Sequence, residues 1–189
     1  MEGLLVVLTG ASGAGKTTLA AGIQERSLSR WNVLSFDSIG VPSVTEIAAF
    51  GTENQPGGTW QRNATLQWMD RIAGLLRAGE SVLFEGQMRI AFIQEAIAAS
   101  KIANARVLLL DCADQCRVLR LAGRGQPQLA TRDMMNWSRY LREEALQTGC
   151  EILDTGLLSL GECLERLTSY LQAPLRAAPE AIGVEGDLC

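Results

Sequence analysis

The chain of 189 residues contains no histidine and only two lysines, against fifteen arginines. Without histidine, the protein has no histidine general base, no nucleophile activated by histidine and no histidine metal ligand. Proton transfer in any active site therefore falls mainly to carboxylates. Because lysine is so scarce, the surroundings of Lys16 and Lys101 are informative.

The sequence also lacks a membrane-spanning run and a signal-peptide pattern. No apolar run approaches the roughly 20 residues that a transmembrane helix needs. The N-terminus leads directly into an apolar segment, without a basic start or a small-residue cleavage site. We therefore expect a cytoplasmic protein that binds no membrane. The formal net charge of −4 argues against a general nucleic-acid-binding surface, so nucleic acid is not an expected partner.

Length and composition predict one globular domain over residues 1–173, followed by a loosely ordered tail over residues 174–189. The cysteines are few and scattered, and their odd number argues against a disulfide framework. We expect reduced thiols that act as small core residues. The five are Cys112, Cys116, Cys150, Cys163 and Cys189.

Short apolar runs alternate with longer segments that have helical spacing. The first run, Leu4–Leu8, is continuously apolar, as in a strand buried on both faces. Further strands are predicted at Val33–Phe36, Ser81–Phe84, Val107–Leu110 and Glu151–Leu153. Helices are predicted at Lys16–Ser29, Trp60–Arg77, Ile90–Ser100, Asp114–Ala122, Arg132–Leu146 and Leu160–Leu171. This alternation predicts an α/β fold, a three-layer sandwich with a five-stranded parallel sheet.

An acid follows four of the five predicted strands. Because ligands bind beyond the carboxyl ends of parallel strands, these acids are candidates for a site at that edge. Helix capping is the alternative, and it suits Asp111 and Asp154 better than Glu85. The four acids are Asp37, Glu85, Asp111 and Asp154.

The turn after the first strand carries the pattern G-x-x-x-x-G-K-S/T, from Gly10 to Thr17. It lies between a predicted strand and a predicted helix, the context that identifies a phosphate-binding P-loop. Its glycines let backbone N–H groups face phosphate oxygens, and Lys16 adds a positive charge there. The Thr17 hydroxyl is positioned for Mg²⁺. The predicted nucleotide-binding residues of this segment are Gly10, Ala11, Ser12, Gly13, Ala14, Gly15, Lys16, Thr17 and Thr18.

With this loop, the sequence resembles the P-loop kinases of small metabolites and nucleotides. That group includes gluconate, shikimate and nucleoside monophosphate kinases and chloramphenicol phosphotransferase. The resemblance extends over residues 3–172, and besides the loop it is carried by Cys116–Arg124 and by Ile152–Thr155. It implies a P-loop NTPase fold with a small lid, and ATP and Mg²⁺ as cofactors.

Two carboxylates have predicted roles in such a reaction. In the group that the sequence resembles, an acid after the second strand lies near the acceptor hydroxyl, and Asp37 fits that place. Phosphoryl transfer to an alcohol also needs a group that accepts the hydroxyl proton. Asp37 is therefore expected to be catalytic and to contact the substrate, with a helix N-cap as the alternative. Glu85 is expected to bind Mg²⁺ or the substrate, and Asp111 is its rival as the metal-binding acid.

Arg117, Arg120 and Arg124 fall at helical spacing on one face, which is either a solvated basic surface or part of a nucleotide site. Arg117 and Arg124 resemble a pair in shikimate kinase in which one arginine stacks on adenine and the other closes over phosphate. Arg117 is accordingly predicted to bind the nucleotide and Arg124 to be catalytic. Glycines on both sides of Arg124 favour a small mobile lid over Gly123–Leu129.

The acceptor site has the weakest sequence signal. Gln87 and Arg89 follow the third strand and are candidate substrate contacts, with a solvated loop as the alternative. The loop Phe50–Gly58, with Trp60 and Arg62 after it, comes where this group of kinases has its acceptor-binding region. Trp60 either stacks on a substrate ring or packs in the core.

The predicted function is therefore that of an ATP-dependent kinase acting on a hydroxyl of a small molecule, either a metabolite or an antibiotic. A nucleoside or nucleotide kinase and a regulatory P-loop NTPase that works as a switch are the alternatives. A GTPase is disfavoured because no N-K-x-D guanine motif is present, and Lys101 is followed by Ile-Ala-Asn. The expected partners are ATP and the acceptor, and the sequence does not predict an oligomeric state.

Overall fold

The computed structural model describes residues 2–26, 31–39 and 57–173. The predicted tail and residues 50–56 of the predicted acceptor loop lie outside the described residues. Residues 27–30, which include the end of the first predicted helix, lie outside them as well.

Five strands and six α-helices alternate along the described residues. The strands are β1 (Leu5–Thr9), β2 (Trp31–Ser35), β3 (Ser81–Glu85), β4 (Ala105–Asp111) and β5 (Glu151–Asp154). The helices are α1 (Lys16–Glu25), α2 (Gly58–Arg77), α3 (Ile90–Ala99), α4 (Asp114–Gly123), α5 (Arg132–Thr148) and α6 (Leu160–Gln172). Among the helices described, none is long and apolar enough to cross a membrane.

All strand pairs are parallel, and the strand order is β2-β3-β1-β4-β5. The central strand β1 has no exposed side chain, as its continuous apolar run predicts. Leu5 and Val7 pack in one core layer with α2 and α3, whereas Val6 and Leu8 pack in the other with α1 and α6. The predicted α/β class with a five-stranded parallel sheet is confirmed.

All five strands differ by one or two residues from their predicted bounds, and at β2 and β4 the difference has a physical reason. β2 stops at Ser35, because Phe36 begins a 3₁₀ turn, Phe36–Ile39, and packs its ring against Phe84. β4 begins two residues earlier than predicted and includes Arg106, whose charge interrupts the apolar pattern. The Arg106 guanidinium lies over the Tyr170 ring and donates to carbonyl oxygens at the end of α6, so the charge is accommodated at the rim of the sheet.

The carboxyl ends of the strands meet at one edge of the sheet. Glu85, Asp111 and Asp154 are the last residues of β3, β4 and β5, and Asp37 follows β2 in the 3₁₀ turn. The glycine-rich segment leaves the same edge between β1 and α1. This edge therefore carries the candidate site.

The Trp68 side chain of α2 fixes the position of the turn that holds Asp37. It is 2% exposed, its ring centroid lies 5.1 Å from that of Phe84, and its Nε1 donates to the Phe36 carbonyl oxygen at 3.2 Å. Packing and hydrogen bonding thus connect the core directly to the start of the turn.

We expect Trp68→Ala to lower the free energy of unfolding by about 3–5 kcal/mol, because it leaves a large cavity under the sheet. Trp68→Phe keeps an aromatic ring and loses the hydrogen bond, so its loss should be smaller. Equilibrium unfolding in denaturant measures both. Leu157→Ala, at a side chain that is 84% exposed, is the control and should change stability by less than about 0.5 kcal/mol. Equal stability of Trp68→Ala and the control would contradict the packing.

Candidate active site

The loop between β1 and α1 requires glycine at two positions for steric reasons. Gly10 has a φ of 148°, and a Cβ there would lie 2.2 Å from the Leu110 carbonyl oxygen. Gly13 has a φ of 81°, and its Cβ would lie 3.0 Å from Cγ of Arg117. Strand β4 and helix α4 therefore pass too close to the loop for side chains at these positions.

Lys16, the first residue of α1, turns back into the loop. Its side chain is largely buried, and Nζ donates to the carbonyl oxygens of Gly10 at 2.8 Å and Ala11 at 3.3 Å. Burial lowers the pKa of Lys16 to about 8, while the carboxylates of Glu85 and Asp37 act in the opposite direction and raise it. The two acids predicted for catalysis and metal binding are thus both within electrostatic reach of the P-loop lysine.

Glu85 faces the hydroxyl of the P-loop threonine. Both of its carboxylate oxygens lie 3.4 Å from Thr17 Oγ1, and the residue is 5% exposed. A hydroxyl and a carboxylate are the oxygen ligands that Mg²⁺ takes in phosphate-binding sites. The donor set at this point therefore fits a magnesium ion.

Asp111, the alternative candidate for the metal-binding acid, forms hydrogen bonds and ion pairs on the other side of β1. Its Oδ1 accepts from Arg117 Nη2 and from the Ser138 hydroxyl, both at 2.9 Å, and its Oδ2 accepts from Arg142 Nη1 at 2.8 Å. Two arginines thus offset its charge. Of the two acids, Glu85 is the one that faces Thr17.

Asp37 is exposed and lies in the 3₁₀ turn after β2. The turn is held at its start by the Trp68 bond to Phe36 and by the Ser38 hydroxyl, which donates to the Ser35 carbonyl oxygen at 2.7 Å. Two hydrogen bonds therefore fix the turn that contains Asp37, and its carboxylate is exposed to solvent and interacts electrostatically with Lys16.

The segment after β3 separates the two predicted substrate contacts. Gln87 accepts at Oε1 from the Ser12 hydroxyl at 3.1 Å, so it lies against the P-loop. Arg89 instead donates from Nε to Glu144 at 2.8 Å, and its guanidinium lies over the rings of Phe92 and Tyr140. These contacts attach Arg89 to α5 and leave Gln87 nearer to the phosphate loop.

Gln61 of α2 is a residue of this region that sequence reasoning missed. It is 7% exposed, donates to the Gln87 carbonyl oxygen and accepts from the Arg89 backbone N–H, both at 2.9 Å. It therefore fixes the backbone that carries both predicted substrate contacts. The sequence signal that could have identified it is its polar side chain on the same helical face as the core residue Trp68, which indicates a buried hydrogen-bonding group.

The three arginines predicted on one face of α4 have different surroundings. Arg117 is 0% exposed and donates to Asp111 and Ser138 and to the Ser12 and Cys112 carbonyl oxygens. A buried guanidinium has no open face for a base, so the adenine-stacking role predicted for Arg117 does not fit its position. The interpretation as a plain solvated face fails for Arg117 for the same reason, whereas Arg124 is exposed.

Arg120 and Arg124 lie instead at a cavity of about 320 Å³ beside the P-loop. The cavity is also lined by Thr18 of α1, by Leu158 of the segment after β5 and by Cys163 of α6. Its size is near the lower end of small-ligand sites, about 300–1,000 Å³. A larger groove of about 790 Å³ lies along β5 and α6, and no P-loop residue lines it.

The remaining predicted elements lie around this site. The predicted lid, Gly123–Leu129, starts at the end of α4, and Arg124 within it is exposed. Trp60 is half-buried and meets the Phe36 ring edge-on at 5.8 Å, which favours the packing interpretation. Arg62 forms an ion pair with Glu95.

No protein-family model and no curated protein sequence matches the chain. Solved structures match it over most of its length. A sugar kinase from Janibacter sp. HTCC2649 has a TM-score of 0.64 and 20% identity, covering 89% of this chain and 94% of its own. Shikimate kinase from Acinetobacter baumannii has a TM-score of 0.59 and 17% identity, with 89% and 93% covered. The tunicamycin resistance protein of Deinococcus radiodurans has a TM-score of 0.62 and 16% identity, with 93% and 99% covered.

The chain has the P-loop kinase fold. The resemblance drawn from the sequence is confirmed at the level of the fold, since the identities are low. Lys16 is the residue of the candidate phosphate site whose pKa burial lowers to about 8.

Phosphate binding should raise the pKa of Lys16, because a phosphate oxygen favours the charged ammonium. Above pH 8 the free protein is partly deprotonated at Lys16, so binding takes up a proton there and affinity falls as pH rises. We expect the affinity for Mg·ADP to fall by up to about tenfold per pH unit in this range. Titration calorimetry in buffers with different ionisation enthalpies measures the proton uptake.

Lys16→Met is the control for this linkage. The variant should bind Mg·ADP more weakly and take up no proton at the same pH. Proton uptake that persists in the variant would assign the titration to another group.

Proposed function

We propose that the chain is an ATP-dependent kinase that transfers the γ-phosphoryl group to a hydroxyl of a small molecule. The observation that carries the proposal is the placement of Lys16 in a P-loop with the carboxylates of Glu85 and Asp37 within electrostatic reach. These groups come from three different elements at the carboxyl edge of the sheet. Such an arrangement combines a phosphate site, a metal-binding acid and a proton acceptor.

The nucleotide would bind along the P-loop with its phosphates near the backbone N–H groups and Lys16. The cavity lined by Arg120 and Arg124 is the candidate site for the base and sugar. Thr17 and Glu85 would hold Mg²⁺, which when bound offsets negative charge on the phosphates. In this proposal Arg120 takes the place that the sequence suggested for Arg117.

The acceptor would approach from the side of β2 and β3, where Asp37 and Gln87 lie. The hydroxyl oxygen forms a bond to the γ-phosphorus while the bond from that phosphorus to the bridging oxygen of ADP breaks. The hydroxyl proton passes to the Asp37 carboxylate, which the absence of histidine leaves as the candidate base. Arg124 is close enough to affect the pKa of Lys16 and is proposed to stabilise charge on the transferring group.

The class of acceptor is proposed from chemistry that the similar structures have in common. A sugar kinase, a shikimate kinase and a tunicamycin resistance protein share this fold, and sugars and shikimate are alcohols. We therefore expect a polyhydroxylated metabolite or a hydroxyl-bearing antibiotic as the acceptor.

The proposal is tested by measuring ADP formation from Mg·ATP with a panel of candidate acceptors. The panel contains sugars, sugar acids, shikimate, hydroxyl-bearing antibiotics, nucleosides and nucleoside monophosphates. We expect one class of alcohol to increase ADP formation well above the basal rate. Stimulation by nucleosides or their monophosphates alone would favour a nucleotide kinase. An equal basal rate with every compound would favour a regulatory NTPase and contradict the proposal.

Asp37→Asn should lower kcat with the identified acceptor by about 10²- to 10⁴-fold, because the amide cannot accept the hydroxyl proton. The affinity for Mg·ADP should stay within about threefold, since Asp37 has no role in holding the phosphates. Steady-state kinetics and calorimetry measure the two effects. Asp70→Asn, which changes an exposed acid on α2, is the matched control. A normal kcat in Asp37→Asn would remove Asp37 from the mechanism.

A further inference from the structure

The outer side of the P-loop is held by side chains that are distant in sequence. Three successive backbone carbonyl oxygens each accept a hydrogen bond, two from α4 and one from the residue that follows β5. The pairs are Ser12 with Arg117 Nη1 at 2.7 Å, Gly13 with Arg120 Nη1 at 3.2 Å, and Ala14 with Thr155 Oγ1 at 2.9 Å. We call Arg117, Arg120 and Thr155 the carbonyl clamp.

The clamp also determines where the loop's N–H groups point. The peptide bonds described are all trans, so a carbonyl and the N–H of the next residue point in opposite directions. With the carbonyls directed outward, the N–H groups of Gly13, Ala14 and Gly15 face the interior of the loop. The Ala14 N–H donates to the Ala11 carbonyl oxygen of the same loop at 3.2 Å.

The members of the clamp also hold one another. Arg120 donates to Thr155 twice, from Nη1 to the hydroxyl at 2.8 Å and from Nη2 to the carbonyl oxygen at 2.7 Å. The Thr155 backbone N–H donates to the Asp111 carbonyl oxygen at 2.8 Å, which ties the residue to β4. Asp111 also accepts from Arg117, so its carboxylate offsets the charge of this buried arginine.

We infer that the carbonyl clamp orients the P-loop N–H groups for phosphate before the nucleotide arrives, so that Arg117 and Thr155 are positioning residues. The inference rests on the proposed function for the identity of its ligand, a nucleotide phosphate. It assigns no direct charge contact with the ligand to Arg117, because the charge of this buried arginine is offset by Asp111. Orientation in advance stabilises the bound state because less freedom is lost on binding.

A purely structural role is the competing explanation for Arg117, since it also joins α4 to α5 through Ser138. Arg142 separates the two explanations. It donates to the same Asp111 carboxylate at 2.8 Å, but its side chain is 47% exposed and it is not part of the clamp. Removing Arg142 weakens the ion-pair cluster and leaves the Ser12 carbonyl held.

The test compares the affinities of Mg·ADP and of adenosine, which has no phosphate, by titration calorimetry. Thr155→Val keeps the side-chain shape and removes the hydroxyl, so the affinity for Mg·ADP should fall about 5- to 30-fold. The adenosine comparison uses Arg117→Met, because Thr155 lines the cavity proposed for the base and sugar and Arg117 does not. Thr155→Ser restores the hydroxyl and should recover most of the Mg·ADP affinity.

Arg117→Met and Arg142→Met form the second comparison. Arg117→Met should weaken Mg·ADP more than about tenfold, whereas Arg142→Met should stay within about threefold. Adenosine affinity should stay within about twofold in Arg117→Met, because the clamp acts on the phosphate part of the site. Equal effects of the two variants, or equal losses of Mg·ADP and adenosine in Arg117→Met, would overturn the inference. Because the readout needs no acceptor, a wild-type protein that binds Mg·ADP but phosphorylates nothing would contradict the proposed function and leave the clamp intact.

Discussion

The position of β1 between two parallel neighbours is the constraint on which the site depends. Both faces of β1 are covered by helices and both of its edges are paired, to β3 and to β4. The chain therefore leaves the sheet between the ends of these two strands. The register sets Leu8 beside Glu85 and Thr9 beside Leu109. A shift of one residue would exchange the faces of β1 and separate the P-loop from its acid, so core packing and site geometry are specified together.

The two strands beside β1, β4 and β3, differ in how their acidic residues are paired. On the β4 side, the charge of Asp111 is matched by Arg117 and Arg142, so that side holds the loop in place without adding a free acid. On the β3 side, Glu85 faces Thr17 and Lys16, and Asp37 adds a second carboxylate within reach of the lysine. The metal-binding acid and the proton acceptor that we propose therefore both lie on the β3 side. The cavity lined by Arg120 belongs to the β4 side.

Local signals in the sequence predicted the sheet, the P-loop and the acids at its edge. A continuous apolar run and a contiguous motif depend only on neighbouring residues, and the structure shows the buried strand and a loop with close contacts at two of its glycines. Helical spacing groups Arg117 with Arg124, whereas packing buries the Arg117 side chain against the loop and leaves Arg124 exposed past the end of α4. Spacing does not reveal which arginine meets a buried carboxylate. Gln61 was not predicted, because it acts through backbone groups that no sequence pattern marks.

Arginine and lysine have different positions in this site, Arg117 outside the P-loop and Lys16 inside it. Arg117 donates to four acceptors at once, two of them backbone carbonyls, and this needs the planar fork of a guanidinium. A lysine at that position has one nitrogen and would leave buried acceptors unpaired. Lys16 differs, because its compact ammonium fits inside the loop, where burial lowers its pKa to about 8 and a phosphate bound as we propose would raise it. On the outer side of the P-loop, an arginine can hydrogen-bond to several carbonyl oxygens at once. On the inner side, the proposed role requires a single ammonium group that a bound phosphate would keep charged.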